Sequence, residues 1–309
     1  MAQVSASLVK QLRDQTGAGM MDCKTALQES DGDLEAANDW LRKKGLAAAA
    51  KKAGRIAAEG LIGLSVRGPR AALVEVNSET DFVARNEEFQ ILVKQIAALA
   101  PDAGGDVERL RAATLPEAGQ SVGEAINEAI GRIGENLSLR RTAAVQVDHG
   151  AVGSYVHGAL APGLGKIGVL VGLQSTGDPD ELAALGKQLA MHVAAARPLA
   201  VSADKVDART VEREREIYAD QARVTGKPEN ILDKIVDGRL RKFFEEQVLL
   251  EQNFVVDPDL KVKDAIDAVA ERIGSSILVT GFVRYALGEG LEKRTTSLAE
   301  EVAAQLDDS

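Results

Sequence analysis

The chain reads as an α+β protein with a small three-helix module, a two-part core on antiparallel sheets, an inserted helical hairpin and a C-terminal helix. Three observations predict it. The composition is 45% apolar and only 3% aromatic, with Ala and Leu abundant, which favours helix. Apolar residues recur at helical spacing in residues 1–54, 86–100, 121–133, 180–196 and 207–252. Between these stretches, residues 62–76, 137–156, 166–174 and 277–287 take the pattern of strands.

In the first 54 residues, Ser5 or Ser7 caps a helix with Leu8, Val9 and Leu12 on one face, and Thr16-Gly17-Ala18-Gly19 ends it. A second helix begins near Asp22 and carries Ala26 and Leu27. Asp31-Gly32-Asp33 turns into a third, with Leu34, Ala37, Trp40 and Leu41 at helical spacing as far as Gly45; residues 46–58 are an Ala/Lys-rich helical connector. A bundle this small is marginal alone and suits a docking module.

Ile62, Leu64 and Val66 then alternate with Gly63, Ser65 and Arg67; Ala72, Val74 and Val76 alternate with Leu73, Glu75 and Asn77; and Arg67-Gly68-Pro69-Arg70 joins them as a β-hairpin. A loop through residues 78–86 leads to a helix from Asn86 with Phe89, Leu92, Val93, Ile96 and Leu99 on one stripe. The Gly-, Pro- and Ala-rich stretch 101–119 reads as an exposed connection. Ser121 and Glu124 stand at capping-box spacing before a helix that buries Ile126, Ala129, Ile130 and Ile133. Strands follow over 137–147, around Tyr155-Val156 and over 166–174, then a helix over 180–196. This repeats the strand–loop–helix order of residues 72–100 and points to two halves of similar plan.

Residues 207–252 are charge-dense and helical in pattern, with a break at Gly226-Lys227-Pro228, so they predict an antiparallel helical hairpin and a candidate homodimer surface. A strand over 277–287 and an amphipathic helix over 296–306 complete the chain. The organisation expected is a docking module (1–54), a first core part (55–140), a second core part (141–206, resumed at 253–288), the hairpin (207–252) and a C-terminal module (289–309).

With 37 basic and 47 acidic residues the net charge is −10, which argues against direct nucleic-acid or membrane-surface binding and favours a protein partner. The one cysteine, Cys23, rules out an intrachain disulfide and any cysteine-based zinc site, and reads as a small buried apolar residue. The first residues lack a signal-type apolar core and no run is long enough to span a membrane, so a cytoplasmic protein is expected.

Enzyme chemistry is hard to find. His149, His157 and His192 are the only histidines, and none stands at metal-ligand spacing. There is neither a nucleophile elbow nor a phosphate-binding P-loop. Gly163-Leu164-Gly165-Lys166-Ile167-Gly168 fits G-x-G-x-x-G, but a dinucleotide site needs that loop to open a helix, and here it precedes a strand. It reads as a flexible loop, with a nucleotide-using enzyme as the alternative it leaves. No cofactor and no metal are expected. The most informative stretch is Thr80-Asp81-Phe82-Val83-Ala84-Arg85-Asn86. Phe82 is either tucked into the core at a capped helix start or an exposed aromatic that wedges into a partner.

Taken together, TGAGMMDCKTAL at 16–27 and NSETDFVARN at 77–86 resemble the two signatures of the elongation factor Ts family. GENLSLRR at 134–141, GSYVHG at 153–158, KQLAMHVAAARP at 187–198, GKPENILDKIVDGRLRKF at 226–243 and GFVRYALGEGLEK at 281–293 resemble further blocks, in the family's order and over nearly the whole chain. The resemblance implies the architecture above and guanine-nucleotide exchange, without covalent chemistry, on elongation factor Tu in its GDP-bound and nucleotide-free forms. It implies that Asp81 and Phe82, within Thr80–Val83, intrude beside the partner's Mg²⁺ and nucleotide. It also places His157, Met20, Met21, Lys24, Ile133 and Gly134 at the partner surface. The chain departs from shorter family members in an expanded loop at 161–165, in the stretches 101–119 and 257–276, and in Thr25, where a second lysine is common. A docking adaptor without exchange activity is the competing reading, since the small N-terminal bundle is UBA-like in pattern.

Overall fold

The computed structural model describes residues 4–16, 18–224 and 229–291. The expected break at Gly226-Lys227-Pro228 and the expected helix over 296–306 lie outside the described residues.

The N-terminal module holds α1 (Ala6–Thr16), α2 (Met20–Glu29) and the first half of α3 (Leu34–Lys52). The Ser5 hydroxyl accepts from Leu8 N–H, and the Asp33 carboxylate accepts from Ala36 N–H, so both expected caps form. α2 starts two residues ahead of Asp22, at Met20. Val9, Leu12, Cys23, Ala26, Leu27 and Ala37 form its core, which places Cys23 where a small apolar residue was expected.

Gly45 does not end the third helix: α3 runs through it to Lys52. Gly45 lies against Gly131 of α6 (Val122–Ile133), where a Cβ on Gly131 would stand 3.3 Å from the Gly45 Cα. Glycine at 131 lets the helices cross closely, whereas a Cβ on Gly45 would meet only the Asn127 carbonyl oxygen at 3.8 Å, an ordinary contact.

Two sheets make the core. The first has the order β3-β2-β1-β5, with β1 (Glu59–Arg67), β2 (Arg70–Ser78), β3 (Ser138–Gln146) and β5 (Leu164–Gly165). The second has the order β4-β6-β7, with β4 (Gly150–His157), β6 (Ile167–Gln174) and β7 (Leu278–Ala286). Every pairing is antiparallel. β3 passes through residues 140–141 and pairs with β2 on both sides of that point, so the first sheet continues beyond residue 140.

The sheets face each other through Ile62, Ala71, Leu73, Val147, Val152 and Leu170. Outside the first lie α4 (Glu87–Ala103), α5 (Val107–Ala112) and α6; outside the second lie α7 (Pro179–Ala196) and α10 (Val262–Ile273). This layering explains why every residue of β2 after Arg70 is buried rather than alternately exposed. Ala71 and Leu73 meet the other sheet, while Ala72, Val74 and Val76 meet α4.

Both halves follow one plan, hairpin–helix–helix–strand. β1-β2-α4-α6-β3 matches β4-β6-α7-α10-β7, with α5 added to the first. Register slips at Glu75/Val76 in one sheet and at Gly172/Leu173 in the other, and α6 and α10 both end on a left-handed glycine, Gly134 and Gly274.

Residues 101–119 are not an exposed connection. They contain the end of α4, all of α5, and Leu110 and Leu115, both fully enclosed in the first core. The G-x-G-x-x-G stretch is not a flexible loop either, since Leu164-Gly165 pair with β1 and β6 starts at Ile167.

α8 (Ala208–Val224) and α9 (Glu229–Gln247) form the inserted helix pair. Arg215 meets Asp237 at 3.4 Å, and the Arg239 guanidinium sits 5.8 Å from the Tyr218 ring. Val206, Phe243 and Val248 close its base. No helix among the described residues is long and apolar enough to cross a membrane.

His192 of α7 ties the chain that leaves α9 to the second core. It is fully buried; its Nδ1 accepts from Val255 N–H at 3.1 Å, so Nε2–H donates to the Gln252 side-chain amide oxygen, Oε1, at 2.8 Å. Burial lowers its pKa, with the Gln252 bond opposing in part. The folded ring therefore stays neutral to lower pH than the unfolded one, which takes up a proton as pH falls below the ordinary 6.5. Stability is expected to fall as pH drops through the ordinary 6.5, and His192→Gln to flatten that slope, as read by urea denaturation from neutral to acid pH.

Candidate functional site

The loop after β2 is held from three sides. Val83 and Ala84 are buried in the first core, so Val83 anchors the loop from behind. The Asn86 side chain caps α4 by accepting from Phe89 N–H at 3.1 Å, and Gln90 donates to the Ala84 carbonyl at 2.9 Å. At the other end, Glu135 accepts from the Thr80 backbone N–H at 2.9 Å and from the Thr80 hydroxyl at 2.6 Å. Glu79 returns the contact by accepting from Asn136 N–H at 2.7 Å and pairing with Arg55 at 3.4 Å.

Between these anchors the chain turns through a 3₁₀ segment, Val83–Arg85, and Asp81 and Phe82 stand out of it. Phe82 is 76% exposed. The reading of a core aromatic is therefore excluded for this conformation. Singly exposed apolar residues are ordinary; a large aromatic at the tip of a loop fixed by charge-assisted hydrogen bonds is a candidate contact for a partner.

The same clamp brings Gly134 and Ile133 to the loop. Gly134 caps α6 at φ 86°, and Glu135 follows it directly. Ile133 itself is partly buried against the first core. α6 also carries the N-terminal module: Arg132 donates to the Thr16 carbonyl at 3.0 Å, and Glu124 meets Arg42 at 3.3 Å. On that module Met20 and Met21 are 58% and 70% exposed, and Lys24 is exposed beside them on α2. Thr25 donates its hydroxyl to the Met21 carbonyl.

His157 stands apart, exposed at the end of β4 in the second sheet, its Nδ1 3.2 Å from the Tyr155 hydroxyl. The sequence-derived residues therefore occupy three supports: the clamped loop with the end of α6, the N-terminal module, and the edge of the second sheet. Among the described residues no three His, Cys, Asp or Glu side chains converge as a metal shell.

This arrangement can be set beside known proteins. A sequence model of the family described as Elongation factor TS matches residues 79–289. The chain belongs to the elongation factor Ts family. It is 56% identical to "Elongation factor Ts" of Parvibaculum lavamentivorans over 304 residues, covering 98% of this chain and 99% of that protein. Against the Rhizobium etli protein of the same name the figures are 55%, 98% and 99%, and against that of Paramagnetospirillum magneticum 54%, 99% and 98%. Membership makes it a factor of translation elongation in protein biosynthesis.

Sequence reasoning missed Glu135 and Glu79, which fix the loop of this elongation factor Ts family member, because their partners lie 55 and 57 residues away. It also missed Glu75. This carboxylate is fully buried and meets Arg140 at 3.0 Å, Arg141 at 2.5 Å and Gly288 N–H at 2.9 Å. Arg141 in turn stacks 4.1 Å from the Tyr285 ring. The one available signal was that two of the family-like blocks, GENLSLRR and GFVRYALGEGLEK, supply its partners.

Removing the clamp tests its role. Glu135→Ala is expected to cost about 1–2 kcal/mol, the loss of two hydrogen bonds to a partly exposed carboxylate. Amide exchange at Thr80 should quicken, while that of the β1–β2 amides should not.

Proposed function

We propose that the protein is a guanine-nucleotide exchange factor that promotes GDP release from elongation factor Tu in the cytoplasm, without covalent chemistry of its own. The observation that carries this reading is the exposed Phe82 on a loop clamped at both ends. A pre-fixed aromatic loses little conformational entropy on docking, so more of its burial appears as binding free energy.

An exchange factor works by linkage. It binds the nucleotide-free partner more tightly than the GDP-bound partner, and GDP is weakened by the same factor. Weakening GDP about 10⁴-fold needs roughly 5.5 kcal/mol of differential binding. Exposed ion pairs supply only about 0–1 kcal/mol each. A buried aromatic anchor together with disturbance of the partner's Mg²⁺ supplies the scale required. That ion bridges the nucleotide phosphates and the GTPase's own side chains, and displacing its support removes a large local charge from the phosphates. In this reading Phe82 is the wedge and Asp81 perturbs the metal and switch region. Thr80 and Val83 hold that pair in place, and Ile133 and Gly134 support the loop's flank. Met20, Met21 and Lys24 hold the partner's G domain at a second point, and His157 adds a contact from the other sheet. Linked contacts of this kind raise effective concentration without strong individual affinities.

The test is equilibrium titration of fluorescent GDP into elongation factor Tu with and without a saturating amount of this protein, beside titration into this protein alone. The reading expects GDP affinity for the partner to fall by orders of magnitude and no GDP binding to the isolated chain. Unchanged partner affinity would leave docking without exchange.

A further inference from the structure

The chain between β4 and β6 does something a hairpin turn would not. Its flanks belong to the second sheet, yet residues 164–165 leave to pair with β1 of the first, with Ile62 opposite Gly165 and Gly63 opposite Leu164. Leu64 N–H donates to the Gly163 carbonyl at 2.8 Å, and Leu164 N–H to the Ala161 carbonyl at 2.9 Å. The Leu164 side chain is 1% exposed and packs in the first core, not the second. Gly165 passes so close to its own flank that a Cβ would stand 2.5 Å from Val156 Cγ1 and 2.8 Å from the His157 carbonyl. The excursion returns at once, as Lys166 N–H donates to that same carbonyl at 3.0 Å.

The position of this clasp matters. In the order β3-β2-β1-β5 it grips the β1 edge. A second fixed link between the halves, Glu75 with Arg140, Arg141 and Gly288, lies on the β2/β3 side. Between them the sheets meet through an apolar face, which resists separation but not sliding. Two links on opposite sides of that face define one orientation. Clamping the β1 edge also covers backbone groups that an edge strand would otherwise expose.

We propose that residues 158–166 are a clasp that fixes the two sheets in one frame, with Leu164 as its positioning residue, so that the Phe82 loop on one and His157 on the other meet the partner together. The functional half of this inference rests on the exchange reading; the mechanical half does not. A clasped pair of contacts binds as one body, whereas a loosened pair must be ordered during binding.

Two variants test it, Leu164→Ala and a deletion of residues 159–164 that leaves Gly158-Gly165-Lys166 as a short turn between β4 and β6. The deletion serves if the alanine variant fails to fold, and Leu164→Met is the conservative rescue. Nitroxides on Glu108→Cys and Glu271→Cys, exposed on α5 and α10, report the distance between halves by pulsed electron paramagnetic resonance in a Cys23→Ala background. The clasp predicts a narrow distribution in the parent and the Met variant and a broad or shifted one in the other two. An unchanged distribution in folded variants overturns the proposal. In GDP-release assays, the concentration giving half-maximal acceleration should rise about tenfold, with the maximal rate within about twofold. A broadened distribution with unchanged concentration dependence removes the functional half. If even the parent fails to accelerate release, the exchange reading falls while the distances still decide the clasp.

Discussion

Phe82→Ala is expected to slow catalysed GDP release from elongation factor Tu by about 30-fold to 1000-fold. Truncating an aromatic anchor costs about 2–4 kcal/mol when it fills a desolvated pocket in the partner, and each 1.36 kcal/mol is a factor of ten in rate. The fold should not register the change. Phe82 is 76% exposed, while Val83, Ala84 and the Asn86 cap hold the loop without it. The melting curve should therefore coincide with that of the parent, within the roughly 0.5 kcal/mol usual for surface substitutions. Asp81→Ala is expected to slow release less, because an exposed carboxylate brings no apolar area. A Phe82→Ala protein with parental melting and parental GDP release would remove the wedge from the account.

Glu75→Gln is expected to give the largest loss of stability, about 2–4 kcal/mol. Removing one partner of a buried ionic cluster leaves the other charges uncompensated, at a cost of about 3–5 kcal/mol when fully enclosed. Here the Arg140 and Arg141 side chains remain 24% and 28% exposed, so water screens part of that cost. The pH dependence provides a separate readout. Burial by itself raises the Glu75 pKa, but hydrogen bonds from Gly288 N–H, Arg141, Asn77 and Arg140 together outweigh it and hold the carboxyl below its ordinary 4.5. A depressed carboxyl pKa adds stability that is fully present above the unfolded value. That stability is lost as pH falls from about 4.5 through the folded value. Urea denaturation at neutral pH and near pH 4 should show this loss in the parent and a smaller one in Glu75→Gln.

How much of this was legible in the sequence divides along local and non-local lines. Asn86 before Phe89, Ser121 before Glu124 and Asp33 before Ala36 are caps made within one turn, and each forms where the local pattern placed it. The loop 80–86 could be located, but whether Phe82 turned in or out depended on Val83 and Ala84 filling the core instead. Gly45 looked like a helix end because glycine commonly stands past one, yet α3 continues through it to Lys52, with Gly131 of α6 packed against it. Residues 101–119 looked exposed because glycine, proline and alanine masked two buried leucines, Leu110 and Leu115. Glu75 looked like the polar member of an alternating strand; only the return of the chain to Gly288, 213 residues on, makes it the centre of a junction. The clasp was seen only as an expanded loop, since a two-residue strand has no periodicity to read.

The most direct measurement of the central claim is stopped-flow release of labelled GDP from elongation factor Tu with this protein present in catalytic amounts. The account predicts acceleration by orders of magnitude, with each molecule of this protein acting on many of its partner. Release at the intrinsic rate, with the protein folded and a cognate partner present, would contradict it.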